Sequence, residues 1–348
     1  MDSEIKNSMA QELHSESIVI DTCGFFCKGY GDYLERSGIT AIALTTPRPH
    51  DNFENAVQRI EEYYQLTARD SKLCLVEAAE DIRQAKKKDQ VGLIIAAQNS
   101  SAVGNRIVRV ETLARLGMRI MQLTYNERNY VGDGCNELTD AGLSHFGRAL
   151  VHEMNRCGIV VDVSHVGART ALEAARESSK PVIASHSNPF SLFPTTKRNI
   201  KDELVDAIAE SGGVIGISPY GPLNWNGDPT HFPTLEDMVN GIDYLVERVG
   251  IEHVGIGTDG VATEGAYPED LRESEHGKPY EDHSHPTAYK EAFDVQPGSH
   301  KYKIDGYKGI FDRPKVTELL VQRGYGSEEI KKILGENFLR VFEEVWPN

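Results

Sequence analysis

Two histidines in this sequence follow short apolar runs in similar settings. His165 ends the run in IVVDVSHVG, and His186 ends the run in PVIASHSN. Imidazole nitrogen is a common zinc ligand in proteins, together with carboxylate oxygen and thiolate sulfur. Either histidine alone is equally well explained as a buried side chain with hydrogen-bonding partners. Two of them in matching positions favour a metal site.

An acidic residue has the same placement at the end of a third apolar run. Asp259 follows the run in HVGIGTDGV. An Asp before Gly is also common in turns, so a purely local role is the alternative. At the end of a strand, however, its carboxylate can ligate a metal or accept a proton from water as a general base. We therefore expect His165, His186 and Asp259 to form a zinc site in which Asp259 is also catalytic.

The elements that must position these residues are short apolar runs separated by stretches with helical spacing. The runs are nearly continuously apolar, as expected for parallel strands that are buried on both faces. Eight strands that alternate with helices predict an α/β fold, a TIM-like (β/α)8 barrel that forms a single domain over residues 1–348. The predicted strands are residues 17–24, 40–46, 91–98, 119–125, 159–165, 181–187, 214–220 and 253–259.

A barrel also predicts which other residues lie near the site. The C-terminal ends of all strands meet at one mouth, where barrel enzymes have their active sites. Cys23, Gln98, Tyr125 and Tyr220 end other predicted strands, and Asn126 follows Tyr125. Cys23 has three interpretations, as a metal ligand, a nucleophile or a small core residue.

The region after the eighth predicted strand does not continue the alternation of strands and helices. Residues 260–312 are rich in Gly, Pro, Tyr, His and charged residues, which predicts a long irregular loop that is functional or mobile. His283 and His285 lie in it, and we interpret them as solvated residues rather than ligands. Residues 313–346 have helical patterns and are predicted to form the C-terminal helices.

The net charge limits the kinds of binding partner that the chain can have. The 348 residues include 37 Lys and Arg against 53 Asp and Glu, a net charge of −16. Such a chain is a poor match for nucleic acid or an anionic membrane, so a small-molecule substrate is expected. No run approaches the ~20 apolar residues of a membrane span, and the polar N-terminal stretch does not resemble a signal peptide. With an odd number of cysteines, five, these features predict a cytoplasmic protein with reduced thiols.

Several stretches carry a family resemblance that covers about residues 15–347. The sequence resembles the membrane (renal) dipeptidase family, the M19-type peptidases, which are metal-dependent barrels of the amidohydrolase type. The most specific segment is 139–199, where DVSHVG, ASHSN and KRNI occur in order. The other matching stretches are IVIDTCG, MQLTYNERNYVGDG, HVGIGTDGV and ILGENFLRVFEEV.

The resemblance implies roles for four residues. The family binds two zinc ions, and two of its histidine ligands match His165 and His186. Its catalytic Asp matches Asp259, and the Arg that holds the substrate carboxylate matches Arg198. Without the resemblance, Arg198 would be interpreted as a surface residue paired with Asp202, four positions later.

The chain departs from the family at the remaining ligands. Cys23 and Phe25 stand where the family has a His and an Asp, and Gln98 replaces the Glu that bridges the two metals. Tyr125 replaces a His that contacts the reacting carbonyl. Two dications close together need anionic ligands, so we expect one zinc ion per chain, with Gln98 or Cys23 as additional ligands.

Together these expectations describe a metal-dependent hydrolase. It would cleave an amide bond in a small carboxylate-bearing substrate, such as a dipeptide, an N-acyl amino acid or a cyclic amide. Tyr125 and Asn126 would stabilise the oxyanion, and the substrate would contact Arg198, Asn126, Tyr220, Gln98 and Cys23. The alternatives are a lyase, decarboxylase or isomerase that uses the altered site, and a catalytically silent binding protein. The resemblance also implies a possible homodimer.

Overall fold

The fold is described here from a computed structural model, for residues 3–25, 30–261, 287–295 and 302–347. Most strands in it are short and coincide with the predicted apolar runs. They are β1 (Ile20–Phe25), β2 (Ala41–Thr45), β3 (Leu73–Leu75), β4 (Val91–Ala97), β5 (Met118–Gln122), β6 (Val160–Asp162), β7 (Val182–Ile183), β8 (Ile215–Ile217), β9 (Val254–Ile256) and β10 (Gly260–Val261).

Helices follow most of the strands, as the predicted alternation requires. They are α1 (Ser3–Glu16), α2 (Gly31–Ser37), α3 (Phe53–Arg69), α4 (Ala79–Lys87), α5 (Val108–Arg115), α6 (His145–Cys157), α7 (Ala168–Glu177), α8 (Asp202–Glu210), α9 (Leu235–Val249), α10 (Thr287–Phe293), α11 (Arg313–Arg323), α12 (Ser327–Lys331) and α13 (Asn337–Val345). A π-helical turn, Lys332–Glu336, joins α12 to α13. Helix α6 shows why such segments begin and end where they do: Ser144 caps its first turn, and Gly158 ends it with a φ of 70°.

The parallel strands close into a barrel. The order of hydrogen-bonded neighbours is β1, β2, β4, β5, β6 and β7, and β8 pairs with β9. A parallel bridge between Ala184 and Ile215 joins the end of β7 to β8. β10, just past β9, pairs with β1 through Gly24 and Gly260, which completes the ring. The barrel prediction is confirmed; β3 is an extra short strand beside the start of β4.

Strand side chains alternate between two apolar clusters, as period-two geometry requires. In β2, Ile42 and Leu44 belong to the larger cluster, which includes residues of the surrounding helices. Ala41 and Ala43 belong to the other cluster, which includes aromatic residues of α13. Both faces of the strands are buried, so polar side chains lie mainly at strand ends or have hydrogen-bond partners. A site at the mouth of the barrel requires polar side chains at the strand ends.

The stretch predicted as an irregular loop contains regular elements. Besides β10 it includes α10 and a 3-10 helix, Ile310–Asp312. Tyr289 and Phe293 of α10 pack edge-on against Trp225, with ring centroids 5.5 and 5.8 Å away. His283, His285 and Cys27 lie outside the described residues. Among the described residues, no helix combines the length and apolar composition that a membrane span requires.

Candidate metal-binding site

The two histidines converge at the C-terminal ends of neighbouring strands. His165 follows β6 and His186 follows β7, and both side chains are buried. Their Nε2 atoms are 2.9 Å apart, and the ring centroids are separated by 5.0 Å. The convergence that the strand order predicted is therefore present in the structure.

The hydrogen bonds at the Nδ1 atoms of the two rings indicate which ring nitrogen carries the proton. Ser185 Oγ donates its proton to Asp162 Oδ2 at 2.6 Å, so it must accept the bond from His186 Nδ1 at 2.7 Å. His165 Nδ1 donates to Asn126 Oδ1 at 2.7 Å. The Nδ1 atom of each ring thus carries a proton, and the Nε2 atom of His186 faces the Nε2 atom of His165.

The charge state of His186 supports the same conclusion. Burial, and then the nearby Arg198 guanidinium, hold the pKa of His186 well below its ordinary value, so the ring is neutral. The unprotonated Nε2 atom of His186 points at the Nε2 atom of His165, and a cation shared by the two nitrogens would be held by both rings. The donor set thus fits a metal ion, and imidazole nitrogen is a preferred zinc ligand.

A sulfur donor and an oxygen donor lie beside His186. Ligand atoms of Cys23, His186 and Asp259 are all within 4.8 Å of one another. Cys23 Sγ, at the end of β1, donates to Asp259 Oδ1 at 3.6 Å. Burial, and then the charges of Asp259 and Asp21, raise the pKa of the Cys23 thiol well above its ordinary value. Without a cation the thiol is neutral, which argues against Cys23 as a nucleophile.

Three residues of this site have left-handed backbone conformations. The φ angles of Asn126, His165 and Asp259 are 59°, 61° and 48°. Non-glycine residues adopt this region at a cost and only where the surrounding structure enforces it, which is frequent at functional sites. Here the left-handed turns occur where the chain leaves the barrel, and the side chains they carry meet at the mouth.

Gln98 is turned toward Cys23. Its Nε2 donates to Thr45 Oγ1 at 2.7 Å and to Cys23 Sγ at 3.3 Å. Its Oε1 is buried and has no hydrogen-bond partner within the part of the chain that the structure describes. Gln98 therefore positions the thiol with its N–H group.

Arg198 is a buried cation without a carboxylate beside it. The residue is 4% exposed. Its Nη2 donates to the His186 carbonyl at 2.9 Å, and its Nη1 donates to Ser187 Oγ at 3.3 Å. No ion pair of Arg198 occurs among the described residues, and Asp202 pairs instead with Arg248 at 3.1 Å. Within the part of the chain that the structure describes, the guanidinium thus lies next to His186 with no carboxylate paired to it.

The predicted aromatic residues take different places. Tyr125 stacks on the His165 ring, with centroids 4.3 Å apart and an interplanar angle of 26°. Tyr220 instead stacks on Tyr302, at 6.0 Å, and its backbone pairs with Lys303. Asn126 Oδ1 holds the His165 ring, and the role of Asn126 toward an oxyanion stays a prediction. Tyr125 thus lies within the site, and Tyr220 lies where the chain packs against the segment from 302 onwards.

The sequence prediction missed the residues that orient the ligands. Asp162 accepts hydrogen bonds from the backbone N–H groups of Ser164 and Ser185, in addition to the Ser185 hydroxyl. Burial raises the pKa of Asp162, and these donors act in the opposite direction. The motifs DVSH and ASH contain both residues, but only the register of β6 beside β7 shows that they form one chain of hydrogen bonds with His186.

A second buried acid lies on the first strand. Asp21 of β1 accepts from the Thr258 backbone at 2.9 Å and from the Thr258 hydroxyl at 2.6 Å, and Arg313 of α11 is 3.6 Å away. Asp21 ties the first strand to the chain beyond β9, next to the residue that carries the candidate carboxylate ligand.

The closed barrel and the donor cluster at its mouth define a barrel protein of the amidohydrolase type, in which metal-ligating side chains come from several strand ends. A family model described as membrane dipeptidase, peptidase family M19, matches residues 30–276 and 293–347. The chain belongs to this family.

Individual relatives agree with that assignment. Dipeptidase tcpJ from Claviceps purpurea is 29% identical over 299 residues, which are 85% of this chain and 60% of that protein. The chain thus spans well under the full length of this curated relative. The crystal structure of an amidohydrolase from Pseudomonas aeruginosa is 32% identical, covers 97% of this chain and 99% of its own, and has a TM-score of 0.82. The probable dipeptidase PvdM from the same organism shares the fold at 21% identity, with 98% of both chains covered and a TM-score of 0.78.

Proposed function

We propose that this protein is a metal-dependent hydrolase that cleaves an amide bond in a small carboxylate-bearing substrate. The observation that carries the proposal is the convergence of the Nε2 atoms of His165 and His186, which are 2.9 Å apart, with the Asp259 carboxylate beside His186. Membership of the membrane dipeptidase family supports hydrolysis, as does the name of the Claviceps purpurea relative.

His165, His186 and Asp259 would hold a zinc ion. When bound, zinc supplies Lewis-acid chemistry, which polarises a carbonyl group and makes water more acidic. Asp259 accepts the proton of the attacking water and transfers it to the leaving amine. The Tyr125 hydroxyl, on a ring fixed by stacking against His165, donates to the developing oxyanion.

Arg198 is proposed to bind the substrate carboxylate. A buried guanidinium without an anionic partner is costly, and a substrate carboxylate would compensate it with charge-assisted hydrogen bonds. Because Arg198 donates to the backbone of His186, the bound carboxylate is fixed relative to the ligand pair. Dipeptides and N-acyl amino acids are the substrates that combine an amide bond with such a carboxylate.

One metal ion per chain is proposed. Phe25 has no donor atom, and Gln98 offers a neutral amide, so two of the anions that a second dication would need are absent. Gln98 also uses its N–H groups to contact Thr45 and Cys23, as described above.

Two measurements on the full chain test this proposal. Elemental analysis of the purified protein is expected to find about one zinc ion per chain. Incubation with pools of dipeptides and N-acyl amino acids is expected to release free amino acids. His186→Ala should lose both the metal and the activity, whereas the matched change of the exposed His145, on α6, should lose neither. Hydrolysis that persists in His186→Ala, or a metal content near two, would contradict the proposal.

A further inference from the structure

Cys23 has surroundings that a core cysteine does not need. Its sulfur contacts the Asp259 carboxylate at 3.6 Å and an N–H of Gln98 at 3.3 Å, and the residue is 3% exposed. Together with His186 and Asp259 it forms a cluster of three potential ligand atoms within 4.8 Å. We propose that Cys23 is a sulfur ligand of the metal, so that the site contains thiolate as well as imidazole. This inference rests on the proposed function.

The charge of the site favours a thiolate. Two neutral imidazoles and one carboxylate leave a dication with a net charge of +1, next to the uncompensated Arg198 guanidinium. Burying uncompensated charge is expensive, and the family's other anionic positions hold Phe25 and Gln98 here. A Cys23 thiolate is the one further anion within the described cluster, and it would bring the group of metal and ligands to neutrality.

The hydrogen bond from Gln98 prepares the sulfur for this role. An N–H group that donates to sulfur stabilises the thiolate and orients its remaining lone pairs, as partners of metal ligands generally do. Gln98 is itself held by Thr45 at 2.7 Å, so its direction is fixed from the neighbouring strand. A cation adjacent to a thiol deprotonates it. As the sulfur–metal bond forms, the thiol proton leaves to solvent.

A thiolate ligand also changes what is required of Asp259. Catalytic zinc sites commonly have three protein ligands and one open position. With Cys23 in place of Asp259 as the third ligand, beside His165 and His186, the site has an anionic ligand of its own, and the adjacent Asp259 carboxylate completes the charge balance and acts as the base. The chain would thus replace a lost carboxylate ligand by sulfur and keep the acid–base residue.

Cobalt spectroscopy separates sulfur ligation from metal binding. The full-length protein is stripped with a chelator and loaded with one equivalent of Co²⁺, and its absorption is recorded. Sulfur bound to cobalt gives an intense charge-transfer band in the near ultraviolet, whereas the weaker visible bands report any bound cobalt. We expect both in the unmodified protein. Cys23→Ser and Cys23→Ala should keep the visible bands but lose the charge-transfer band.

Two other cysteine variants serve as matched controls. Cys135→Ser changes another buried cysteine, whose sulfur contacts Asn126 at 3.4 Å, and Cys27→Ser changes the cysteine next along the chain. Both should keep the charge-transfer band. Visible bands without a charge-transfer band in the unmodified protein would refute sulfur ligation and leave the proposed function standing, and so would a band that survives in both Cys23 variants. Absence of any cobalt spectrum would refute both proposals.

Discussion

At the scale of single residues, the site combines retained and replaced positions of the membrane dipeptidase family. His165, His186 and Asp259 match the ligands and the base that the family resemblance implies, while Cys23 and Gln98 form a hydrogen-bonded pair near His186 and Asp259. The two replacement residues, Cys23 and Gln98, are buried and hydrogen-bonded to each other, and the Cys23 sulfur contacts Asp259. This arrangement supports the proposed site with one metal ion and a mixed donor set.

Arg198 provides a test of substrate class at this scale. Arg198→Gln should lower kcat/KM for a carboxylate-bearing substrate about 10- to 100-fold, because hydrogen bonds between charged groups contribute roughly 1.5–3 kcal/mol. Steady-state kinetics with the same substrate as its C-terminal amide is the control, and there the variant should lose little. An equal loss with both substrates would mean that Arg198 supports the backbone of His186 and does not bind the carboxylate.

Ser185 tests whether the ring of His186 must be oriented. Ser185→Ala removes the acceptor of the His186 Nδ1 proton and interrupts the connection to Asp162. Partners of this kind typically change metal affinity by about 10–100-fold, so zinc should dissociate more readily in competition with a chelator. Ser187→Ala is the matched control, since that buried hydroxyl contacts Ser164 and Arg198 and not an imidazole. Unchanged zinc affinity in Ser185→Ala would show that packing alone holds the ring.

At the scale of elements, the apolar strands could be predicted because burial on both faces leaves a direct trace in the sequence. Segments whose secondary structure depends on tertiary contacts could not be predicted from the sequence. α10 is stabilised by aromatic contacts to Trp225, which no local periodicity reports. The predicted C-terminal helix is interrupted by a π-helical turn where Gly335 packs closely against the backbone of Ile18.

The same distinction applies to the site. Polar residues at strand ends could be predicted, since strand ends in a barrel share one mouth. The partners of those residues could not, because they depend on register. Asp162 ends β6 and Ser185 follows β7, and their bond requires the pairing of Asp162 with Ile183.

The contact of α1 with α2 and α11 predicts how the free energy of unfolding depends on pH. His14 accepts a hydrogen bond from Thr317 at Nδ1 and donates to the Ser37 carbonyl from Nε2, at 2.7 and 2.9 Å. Burial lowers its pKa from 6.5 to about 4. Between these values the unfolded chain binds a proton that the folded chain does not, so stability is full above pH 6.5 and falls as the pH approaches 4.

This loss should reach about 3 kcal/mol and should appear in urea unfolding measured across that pH range. His14→Gln should flatten the dependence, because the titrating group is gone, even if the variant is less stable at every pH. His145→Gln, at an exposed position on α6, should leave the slope unchanged. A slope that is identical in the unmodified protein and in His14→Gln would assign the acid sensitivity to other groups.

At the scale of the whole molecule, the candidate ligands lie on both sides of the place where the barrel closes. Cys23 belongs to β1, His165 and His186 follow β6 and β7, and Asp259 lies between β9 and β10. Among the described residues, two residue pairs link β10 to β1, and one bridge links the end of β7 to β8. A metal bound by these residues would connect the first strand to strands on the far side of these weak pairings.

Zinc should therefore stabilise the entire barrel and not only its mouth. A ligand that binds the folded state alone raises the unfolding free energy by RT ln(1 + [L]/Kd), about 4 kcal/mol when free zinc is 1,000 times Kd. Urea unfolding followed by circular dichroism should show one cooperative transition that moves to higher urea with zinc. Mg²⁺, which prefers oxygen ligands in octahedral geometry, should have little effect, and His186→Ala should abolish the shift. If zinc instead protected a local segment from hydrogen exchange while the global transition stayed in place, the metal would be bound by fewer strands than the cluster at the barrel mouth implies.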